Sequence, residues 1–303
     1  MKKVLVTGAG GFVGRHSLKT LVERGFEVHA VASKTLPTVN SDCTWHLANL
    51  LDSTSIRELV CQVKATHLLH FAWCYTLPGQ YWKSEDNFLW VQASLELLRQ
   101  FREQGGDRVV MGGTCAEYDW KYGYCSEFVT PRNPDTPYGI CKNALQEIVS
   151  CYCETTSLSS AWGRIFFPYG ACEYPNRLVS SVILSLLKGE PARCSHGNQI
   201  RDFMYVQDVA DAFVALLDSE VTGSVNIGSG QPIAIKDVVY QIADIIGRSD
   251  LVQLGAIPSA AKETPLLVAD VSRLSNEVEW KPQFSLDMGI EQAIIGWKNR
   301  YYS

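Results

Sequence analysis

Short apolar runs alternate with longer segments of helical spacing through the first half of the chain. The apolar runs predict strands at residues 3–7, 27–32, 67–72 and 108–111. Apolar residues that recur every three to four positions predict helices at 14–24, 53–63, 85–104 and from 137 to about 153, with Ser53 capping the second. Because each crossover between parallel strands needs a helix to return the chain, this alternation predicts an α/β fold with a doubly wound parallel sheet.

The pattern is less regular after about residue 162, where prolines at 168, 175 and 191 separate the elements. Helical spacing predicts helices at 178–188, 208–217, 236–246 and 286–301, and apolar runs predict strands near 192–199 and at 224–227. We therefore expect a sheet domain over residues 1–165, to which elements around 203–228 return. Residues 166–303 are expected to form mainly a smaller α/β lobe.

Composition and charge narrow the function classes. The chain has 303 residues and a net charge of −5, which does not favour a nucleic-acid partner, because phosphate binding needs a surplus of Lys and Arg. No apolar run approaches the roughly 20 residues that a membrane span needs. The first apolar stretch ends after three residues at Thr7, too early for a secretion signal. We expect a cytoplasmic protein without a membrane partner.

The cysteines and histidines do not predict a metal site. Ten cysteines occur without a C-x-x-C pair, and none of the six histidines has the spacing of metal ligands. We expect no metal, and we expect most of the thiols to be small buried side chains in a reducing cytosol.

A glycine-rich stretch lies between the first predicted strand and the first predicted helix. It has the spacing G-x-x-G-x-x-G and reads Gly8-Ala9-Gly10-Gly11-Phe12-Val13-Gly14. Glycines allow a tight turn and let a pyrophosphate approach the backbone at a helix N-terminus. The alternative is a loop that only needs positive φ angles. The position after the first strand of an alternating chain favours dinucleotide binding.

The end of the second predicted strand bears on which dinucleotide binds. Folds that prefer NAD place an acidic residue there, where it bonds the ribose 2′-OH and repels a 2′-phosphate. Here the stretch is Val31-Ala32-Ser33-Lys34, without a carboxylate. Ser33 and Lys34, with Arg15 as a helper, favour NADP(H), and NAD(H) stays possible. The alternative is that Lys34 is simply a lysine of a solvent-facing loop.

Tyr138 and Lys142 are four residues apart, so on a helix they share one face. A neighbouring ammonium would lower the pKa of a phenol toward the range in which it acts as a general acid or base. Thr114 follows the predicted strand 108–111, at the carboxyl edge of the sheet where ligands of α/β folds bind. These three residues predict a catalytic triad. The alternative is an ordinary pair on a helix surface.

Several further motifs accompany these residues in the chain. They are His70-Phe71-Ala72, Gly113-Thr114-Cys115-Ala116-Glu117-Tyr118, Tyr138-Gly139-Ile140-Cys141-Lys142, Gln199-Ile200-Arg201-Asp202-Phe203 and Val206-Gln207-Asp208-Val209-Ala210. With them, the chain resembles the extended short-chain dehydrogenase/reductase superfamily over almost its whole length. The branch it resembles is the NAD-dependent epimerase/dehydratase family of sugar-nucleotide-modifying enzymes.

The resemblance implies a Rossmann-type sheet and a C-terminal substrate lobe. It implies that Tyr138 donates or accepts the proton, that Lys142 also binds the nicotinamide ribose, and that Thr114 orients the substrate oxygen. The cofactor residues it implies are Gly8, Gly10, Gly11, Phe12, Val13, Gly14, Arg15, Ser33, Lys34, Asn49, Leu50, Phe71, Ala72, Tyr138 and Lys142. Asn49 stands where the family often has an Asp near the adenine.

The residues after Thr114 separate the reactions of the family. Its 4,6-dehydratases have an Asp-Glu pair there to eliminate water, and this chain has Cys115-Ala116. Because alanine cannot move a proton, dehydration is not expected. Cys115 is a structural thiol or a substrate contact. Glu117 is either a second acid near the pocket or part of a salt bridge at its rim.

On the substrate side, the resemblance implies that Arg201 binds the diphosphate. The alternative is that Arg201 pairs with Asp202 or Asp208. Arg177 is a second phosphate candidate, and Phe167 stands where relatives often have an asparagine.

An aromatic group around the loop after the third predicted strand either stacks on the substrate or packs the interface between the lobes. Its members are Trp73, Tyr75, Tyr81, Trp82 and Trp90, with Cys74 between the first two. We take Trp73 as the substrate contact.

The resulting hypothesis is an NADPH-dependent reductase of a 4-keto-6-deoxy nucleotide sugar in deoxysugar biosynthesis. A nucleotide-sugar 4-epimerase with tightly bound NAD(P) and a non-catalytic NADP-binding protein are the alternatives. A homodimer through the helix at 85–104 and the helix that bears Tyr138 is expected from the family.

Overall fold

The computed structural model describes residues 2–36, 42–73, 80–259 and 263–301 of the chain. In chain order the first half contains β1 (Lys3–Thr7), α1 (Gly14–Glu23), β2 (Glu27–Ala32), β3 (Thr44–Leu47), α2 (Ser53–Val63), β4 (His67–His70), α3 (Asp86–Glu103), β5 (Arg108–Thr114), β6 (Tyr124–Cys125), α4 (Pro137–Thr156) and β7 (Ser159–Ile165). The second half contains β8 (Phe167–Tyr169), α5 (Leu178–Leu187), β9 (Ala192–Arg193), β10 (Ile200–Tyr205), α6 (Val206–Asp218), β11 (Gly223–Ile227), β12 (Pro232–Ala234), α7 (Ile235–Ile246), β13 (Val252–Gln253), β14 (Leu266–Ala269), α8 (Ser272–Asn276) and α9 (Leu286–Tyr301). Short 3₁₀ helices cover Tyr81–Lys83, Cys115–Glu117, Trp120–Tyr122 and Ser249–Leu251.

A parallel sheet with the strand order β11-β7-β5-β4-β1-β2-β3 carries the fold. Strands β4 and β5 are buried along their whole length, because helices cover both faces of the sheet. One apolar core includes residues of α1 and α6, and the other includes residues of α2, α3 and α4. The predicted α/β fold with a Rossmann-type parallel sheet is confirmed.

Three details of the first half differ from the prediction. Strand β3 was not expected, because this half-exposed edge strand, Thr44–Leu47, shows no continuous apolar run. Strand β5 continues to Thr114, since Gly112 and Gly113 still pair with β7. Helix α2 is capped by Asp52 and not by Ser53, because the Asp52 carboxylate accepts the Thr54 N–H at 3.0 Å.

A second sheet lies in the C-terminal half, with the order β12-β10-β14-β6 and with β8 also paired to β10. The strand expected near 192–199 is wrong: only β9, Ala192–Arg193, lies there, and β10 begins at Ile200. Arg201 and Asp202 interrupt the apolar pattern of β10, although both side chains are buried. A third core joins α5, α7 and α9.

Part of the C-terminal half returns to the large sheet. Strand β11 pairs in parallel with β7, and α6 packs against α1. The boundary at residue 165 and the assignment of residues 166–303 to a substrate lobe stay predictions. Within the described ranges, no helix combines the length and the apolar character needed to cross a membrane.

Nine cysteines lie in the part of the chain that the structure describes. Buried thiols are found at Cys115, Cys125, Cys141, Cys153 and Cys194, whereas Cys61 and Cys151 are exposed. The expected burial therefore holds for five of these nine residues.

Candidate active site

The glycine stretch forms a bend between β1 and α1. Gly8 has a φ angle of +67°, which glycine adopts without strain, and its carbonyl accepts the Gly11 N–H at 2.8 Å. A Cβ atom at Gly14 would lie 2.2 Å from the Gly8 oxygen, so α1 can begin this close to β1 only with glycine there. A Cβ atom at Gly10 would meet nothing within 4 Å, so the outer side of the bend is open.

The N-terminus of α1 opens onto this bend without a side-chain cap. Val13 is the N-cap residue, no side-chain hydrogen bond caps the helix, and its first turn holds no acidic residue. Backbone N–H groups at such a helix start bind anions. Phe12 and Val13 are half-buried, and Val13 packs against the sheet core. The bend and the helix start therefore fit the pyrophosphate of a dinucleotide.

The residues expected to favour NADP(H) lie at two places beside the bend. The Arg15 guanidinium donates hydrogen bonds to the carbonyl oxygens of Gly10 and Gly11. Ser33 and Lys34 are exposed and follow β2, the strand next to β1. The structure thus brings Ser33 and Lys34 to the carboxyl edge of the sheet and engages Arg15 in the bend itself.

Asn49 and Leu50 follow β3, one strand farther from the bend. Asn49 Oδ1 accepts the Leu51 N–H at 3.1 Å, so this side chain shapes the turn. Leu50 is buried in the core beside α2. Of the two, only Asn49 presents a polar side chain at the surface.

The residues after β4 lie directly against the glycine bend. A Cβ atom at Gly8 would lie 2.7 Å from the Ala72 nitrogen. The Phe71 N–H donates to the Thr7 carbonyl at 3.1 Å. The structure therefore brings the predicted cofactor residues Phe71 and Ala72 to Gly8.

Tyr138 lies in the first turn of α4 beneath two aromatic rings. The rings of Tyr81 and Trp82 meet it edge-on, at centroid distances of 5.0 and 5.3 Å. Burial raises the pKa of Tyr138 above its ordinary value, and the nearby Thr114 side chain acts in the opposite direction with a smaller effect. The phenol is therefore held as a proton donor.

The largest influence on the pKa of Tyr138 in this arrangement is burial and not Lys142, contrary to the expectation from sequence. The Lys142 Nζ donates to the Gly112 carbonyl at 2.7 Å and lies 3.7 Å from the centroid of the Trp73 ring. Burial lowers the pKa of Lys142 to about 7. The amine is thus held by a carbonyl and an aromatic face, and it carries only part of a charge near neutral pH.

Thr114 is the last residue of β5, at the carboxyl edge of the sheet. Its Oγ1 accepts the Ala116 N–H at 3.2 Å, and its own N–H donates to Glu117 Oε1 at 2.9 Å. Since Oγ1 already accepts a hydrogen bond, its proton is available for Tyr138 or for a substrate oxygen.

The residues that follow Thr114 contribute no exposed acid or base. Cys115 and Ala116 are buried, and burial raises the pKa of the Cys115 thiol. Glu117 is fully buried and forms a salt bridge of 2.6 Å with Arg164. The salt bridge expected for Glu117 is present, but it lies in the interior and not at the pocket rim.

Arg201 is a buried guanidinium with few partners among the described residues. Its Nη1 donates to the Ile200 carbonyl at 2.8 Å, and its Nη2 lies 3.7 Å from Glu263 Oε1. The alternative pairing with Asp202 or Asp208 is wrong, because both carboxylates accept backbone N–H groups of other segments. The centroid of the Phe167 ring lies 5.6 Å from the Arg201 Cζ atom.

Arg177 reaches the site through an aromatic side chain. Its Nη2 donates to the Tyr81 hydroxyl at 3.0 Å, and the Tyr81 ring packs on Tyr138. The Trp73 ring lies 6.4 Å from that of Trp90. Among the described members of the aromatic group, Tyr81 and Trp82 therefore pack beside the phenol, and Trp73 lies near Trp90.

Two members of the predicted aromatic loop, Cys74 and Tyr75, lie outside the described residues. In the described ranges, no three His, Cys, Asp or Glu side chains come together as possible metal ligands.

Comparison with known proteins settles the family. The model of the NAD dependent epimerase/dehydratase family matches residues 4–228. The chain belongs to this family. Its members are sugar-nucleotide enzymes of the extended short-chain dehydrogenase/reductase type, as the motifs predicted.

Relatives within the family have different reactions in their names. A CDP-abequose synthase of Salmonella typhimurium (strain LT2) is 27% identical over 96% of this chain and 97% of its own. An uncharacterized UDP-glucose epimerase of Bacillus subtilis, YtcB, is 28% identical over 99% of both chains. The solved structure of MoeE5 in complex with UDP-glucose and NAD has a TM-score of 0.85 and 26% identity, and the match covers 99% of this chain and 100% of that one.

Sequence reasoning missed a buried hydrogen-bond chain that begins at Thr7, the residue before the glycine bend. His70 Nδ1 lies 2.6 Å from Thr7 Oγ1, and its Nε2 lies 2.9 Å from Ser94 Oγ. Burial lowers the pKa of His70 to about 3, so the imidazole is neutral. In the sequence, the only sign of this hydrogen-bond chain is the position of His70 at the end of an apolar strand. Thr7 and Ser94, the two partners of His70, are far from it along the chain.

Asn87 was also missed, although it holds the aromatic group in place. Its Oδ1 accepts the Trp73 Nε1–H at 2.9 Å, and its Nδ2 donates to the Tyr81 and Ser84 carbonyls at 2.7 and 2.8 Å. The predicted helix at 85–104 placed Asn87 at its start, but nothing in the pattern marked it as buried.

The buried amine predicts a pH-dependent contribution to stability. The pKa of Lys142 is about 7 in the folded chain, against 10.5 for an ordinary lysine. Between these values the unfolded chain binds more protons, so Lys142 raises the free energy of unfolding as pH rises above about 7. Lys142→Met is expected to remove this rise, measured as the change in melting temperature between about pH 7 and pH 9.

The exposed Lys19 offers the control, because Lys19→Met is expected to leave the pH dependence as it is in the wild type. An equally steep rise in Lys142→Met would contradict the depressed pKa.

Proposed function

We propose that the chain is an NADPH-dependent reductase of a 4-keto-6-deoxy nucleotide sugar. The observation that carries the proposal is the convergence of three side chains beside the glycine bend. Tyr138 lies close enough to Thr114 for the threonine side chain to affect the pKa of its phenol, and Lys142 lies on the ring of Trp73, the residue after the Ala72 that packs beside Gly8. Such a convergence supports proton transfer to a carbonyl next to a bound nicotinamide.

Bound NADPH would supply the hydride to the keto carbon. Tyr138 gives its phenolic proton to the carbonyl oxygen, so that a C–H and an O–H bond form as the carbonyl π bond breaks. Thr114 donates its hydroxyl proton in a hydrogen bond to the same oxygen. Lys142, when protonated, stabilises the phenolate left behind.

Reduction is favoured over dehydration by the residues after Thr114. Cys115 is a buried thiol with a raised pKa, and Glu117 is engaged by Arg164. Neither provides the additional acid and base that eliminate water. The name of the relative CDP-abequose synthase also refers to a nucleotide-linked sugar.

The cofactor preference is part of the proposal. A nicotinamide dinucleotide is supported by the family and by the NAD of the MoeE5 complex. The preference for NADPH depends on Ser33 and Lys34, which are exposed directly after β2. They stand where folds that prefer NAD have an acidic residue. A lysine there can pair with a 2′-phosphate.

The substrate diphosphate is proposed to bind Arg201. Its guanidinium is buried, and its described ion-pair partner, Glu263, lies 3.7 Å away. A planar guanidinium with donors to spare suits a diphosphate. Arg177 and Trp73 are proposed as further substrate contacts, and so is Cys115, which directly follows Thr114 at the end of β5.

A 4-epimerase is the second candidate, favoured by the name of the relative YtcB. An epimerase passes the hydride out and back, so it consumes no cofactor. The two functions are separated by adding a 4-keto-6-deoxy nucleotide sugar and NADPH deuterated at the transferred position. A reductase oxidises NADPH stoichiometrically and places deuterium on the sugar.

Two other outcomes would overturn the reductase proposal. Interconversion of UDP-glucose and its 4-epimer without loss of NADPH absorbance would identify an epimerase. Binding of NADP(H) without turnover of any nucleotide sugar would identify a non-catalytic binding protein.

We also propose a homodimer formed through α3 and α4. Both helices expose large apolar side chains, including Leu89, Ile140 and Ile148, the last with 45% of its surface accessible. The wild type is expected to have twice the mass of one chain by light scattering, and Ile148→Glu is expected to lower that mass toward one chain. Tyr240→Glu on α7 is the control, and a monomeric wild type would contradict the proposal.

A further inference from the structure

Three hydrogen-bond donors converge on the carboxylate of Glu117. They are the Thr114 N–H at 2.9 Å, the Trp162 Nε1–H at 2.9 Å and the Arg164 Nε–H at 2.6 Å. The Glu117 side chain is completely shielded from solvent, with a relative exposure of 0%. A buried carboxylate is costly unless it is paired and fully hydrogen-bonded, and this one is both.

The backbone of β5 is shaped to admit this carboxylate. A Cβ atom at Gly113 would lie 2.0 Å from Trp162 Nε1 and 2.8 Å from Glu117 Oε1, so only glycine leaves room for both side chains. The preceding residue, Gly112, uses its carbonyl to hold Lys142. One short stretch of β5 therefore positions both Lys142 and Thr114.

The carboxylate also fixes which way the Thr114 hydroxyl can donate. Glu117 and Thr114 form a reciprocal cap, in which Thr114 Oγ1 accepts the Ala116 N–H and Glu117 accepts the Thr114 N–H. With Oγ1 accepting from this side, its proton is left for Tyr138 or the substrate oxygen.

Glu117 is in turn tied to neighbouring strands. Arg164 on β7 also donates to the Tyr118 hydroxyl at 3.0 Å, and that hydroxyl donates to Asn226 Oδ1 on β11 at 2.7 Å. Asn226 Nδ2 donates to the Cys125 carbonyl at 2.8 Å. The carboxylate is thus the innermost member of a network that spans three strands of the large sheet.

We propose that Glu117 is a positioning residue, whose buried carboxylate fixes the Thr114 backbone so that the threonine hydroxyl donates toward Tyr138 in the free protein and toward the substrate oxygen in the complex. This proposal rests on the proposed reductase function. Glu117 itself does not touch the substrate, because it is enclosed by Thr114, Trp162 and Arg164. Its effect is on the rate of the chemical step and not on the binding of cofactor or substrate.

Two variants separate the position of the carboxylate from its charge. Glu117→Gln has the same length but presents an amide donor to groups that are donors themselves. Glu117→Asp keeps the charge that balances Arg164 but is one methylene shorter, so it withdraws from the Thr114 N–H. Asp208→Asn is the matched control, because Asp208 is also a fully buried carboxylate that accepts backbone N–H groups, those of Gln283 and Phe284.

The test measures steady-state kinetics of each variant with NADPH and the keto sugar. Both Glu117 variants are expected to lower kcat by about 10- to 100-fold with KM and the Kd of NADPH within about threefold of the wild type. Asp208→Asn is expected to keep kcat within about threefold of the wild-type value, even if its melting temperature falls. If Glu117→Asp retains the wild-type kcat, or if the control loses as much kcat as the Glu117 variants, the proposal is overturned.

A second measurement needs no substrate and keeps the proposal separate from the reductase function. Amide hydrogen exchange of Thr114 in the NADPH-bound protein is expected to be at least about tenfold faster in the Glu117 variants and unchanged in Asp208→Asn. Unchanged protection of Thr114 in both Glu117 variants would overturn the positioning role even where the wild type is active. If amide exchange of Thr114 is faster in the Glu117 variants but the wild type turns over no keto sugar, the positioning role of Glu117 stands and the reductase function is wrong.

Discussion

Replacing Tyr138 with Phe is expected to lower kcat for the keto sugar by about 10²- to 10⁴-fold, the usual contribution of a positioned general acid. The variant loses only the hydroxyl, which lies near Thr114, and its ring keeps the edge-on contacts with Tyr81 and Trp82. NADPH affinity is therefore expected to stay within about threefold of the wild type. Single-turnover oxidation of NADPH, followed by its absorbance, measures the chemical step directly.

Tyr240→Phe provides the control, because Tyr240 is an exposed residue of α7. It is expected to keep the wild-type kcat. If Tyr138→Phe turns over as fast as this control, Tyr138 is not the general acid, and the proposed mechanism is wrong.

The second large effect is expected at the glycine bend. Gly14→Ala forces a Cβ atom to 2.2 Å from the Gly8 oxygen, a backbone atom that cannot move aside without disturbing β1 and α1. We expect a loss of about 1–3 kcal/mol in the free energy of unfolding, as for other overpacked sites. NADPH binding is expected to fall below detection in a fluorescence titration, because the bend and the helix start no longer hold the same geometry.

Gly10→Ala is the matched variant, because its Cβ atom would meet no protein atom within 4 Å. It is expected to unfold as the wild type does, within about 0.5 kcal/mol. Its NADPH affinity is nevertheless expected to fall by about tenfold or more, since the added methyl group projects into the open side where the pyrophosphate is proposed to lie. Wild-type affinity in Gly10→Ala would place the cofactor elsewhere.

The catalytic candidates could be found from sequence because their signals are local. The four-residue spacing of Tyr138 and Lys142, and the glycine spacing from Gly8 to Gly14, are properties of one helix and one turn. Parallel strands also bring their carboxyl ends to one edge, so Thr114 could be placed beside the bend without coordinates.

The electrostatics of these residues could not be found in the same way. Spacing predicted that Lys142 lowers the pKa of Tyr138, whereas Gly112 and Trp73 hold the amine and burial dominates both groups. A pKa depends on solvent exclusion by residues from distant parts of the chain, and no local pattern reports it.

The sequence by itself determined the alternation of strands and helices in the first half of the chain, the glycine bend, and the family to which the chain belongs. These follow from periodicity and from short motifs, which are set by neighbours along the chain. Only the tertiary structure decided that Glu117 is buried against Arg164, that Arg201 is not paired with Asp202 or Asp208, and that His70 is neutral. The physical reason is that a buried polar group takes whatever partners the fold brings to it, and those partners come from strands far apart in sequence.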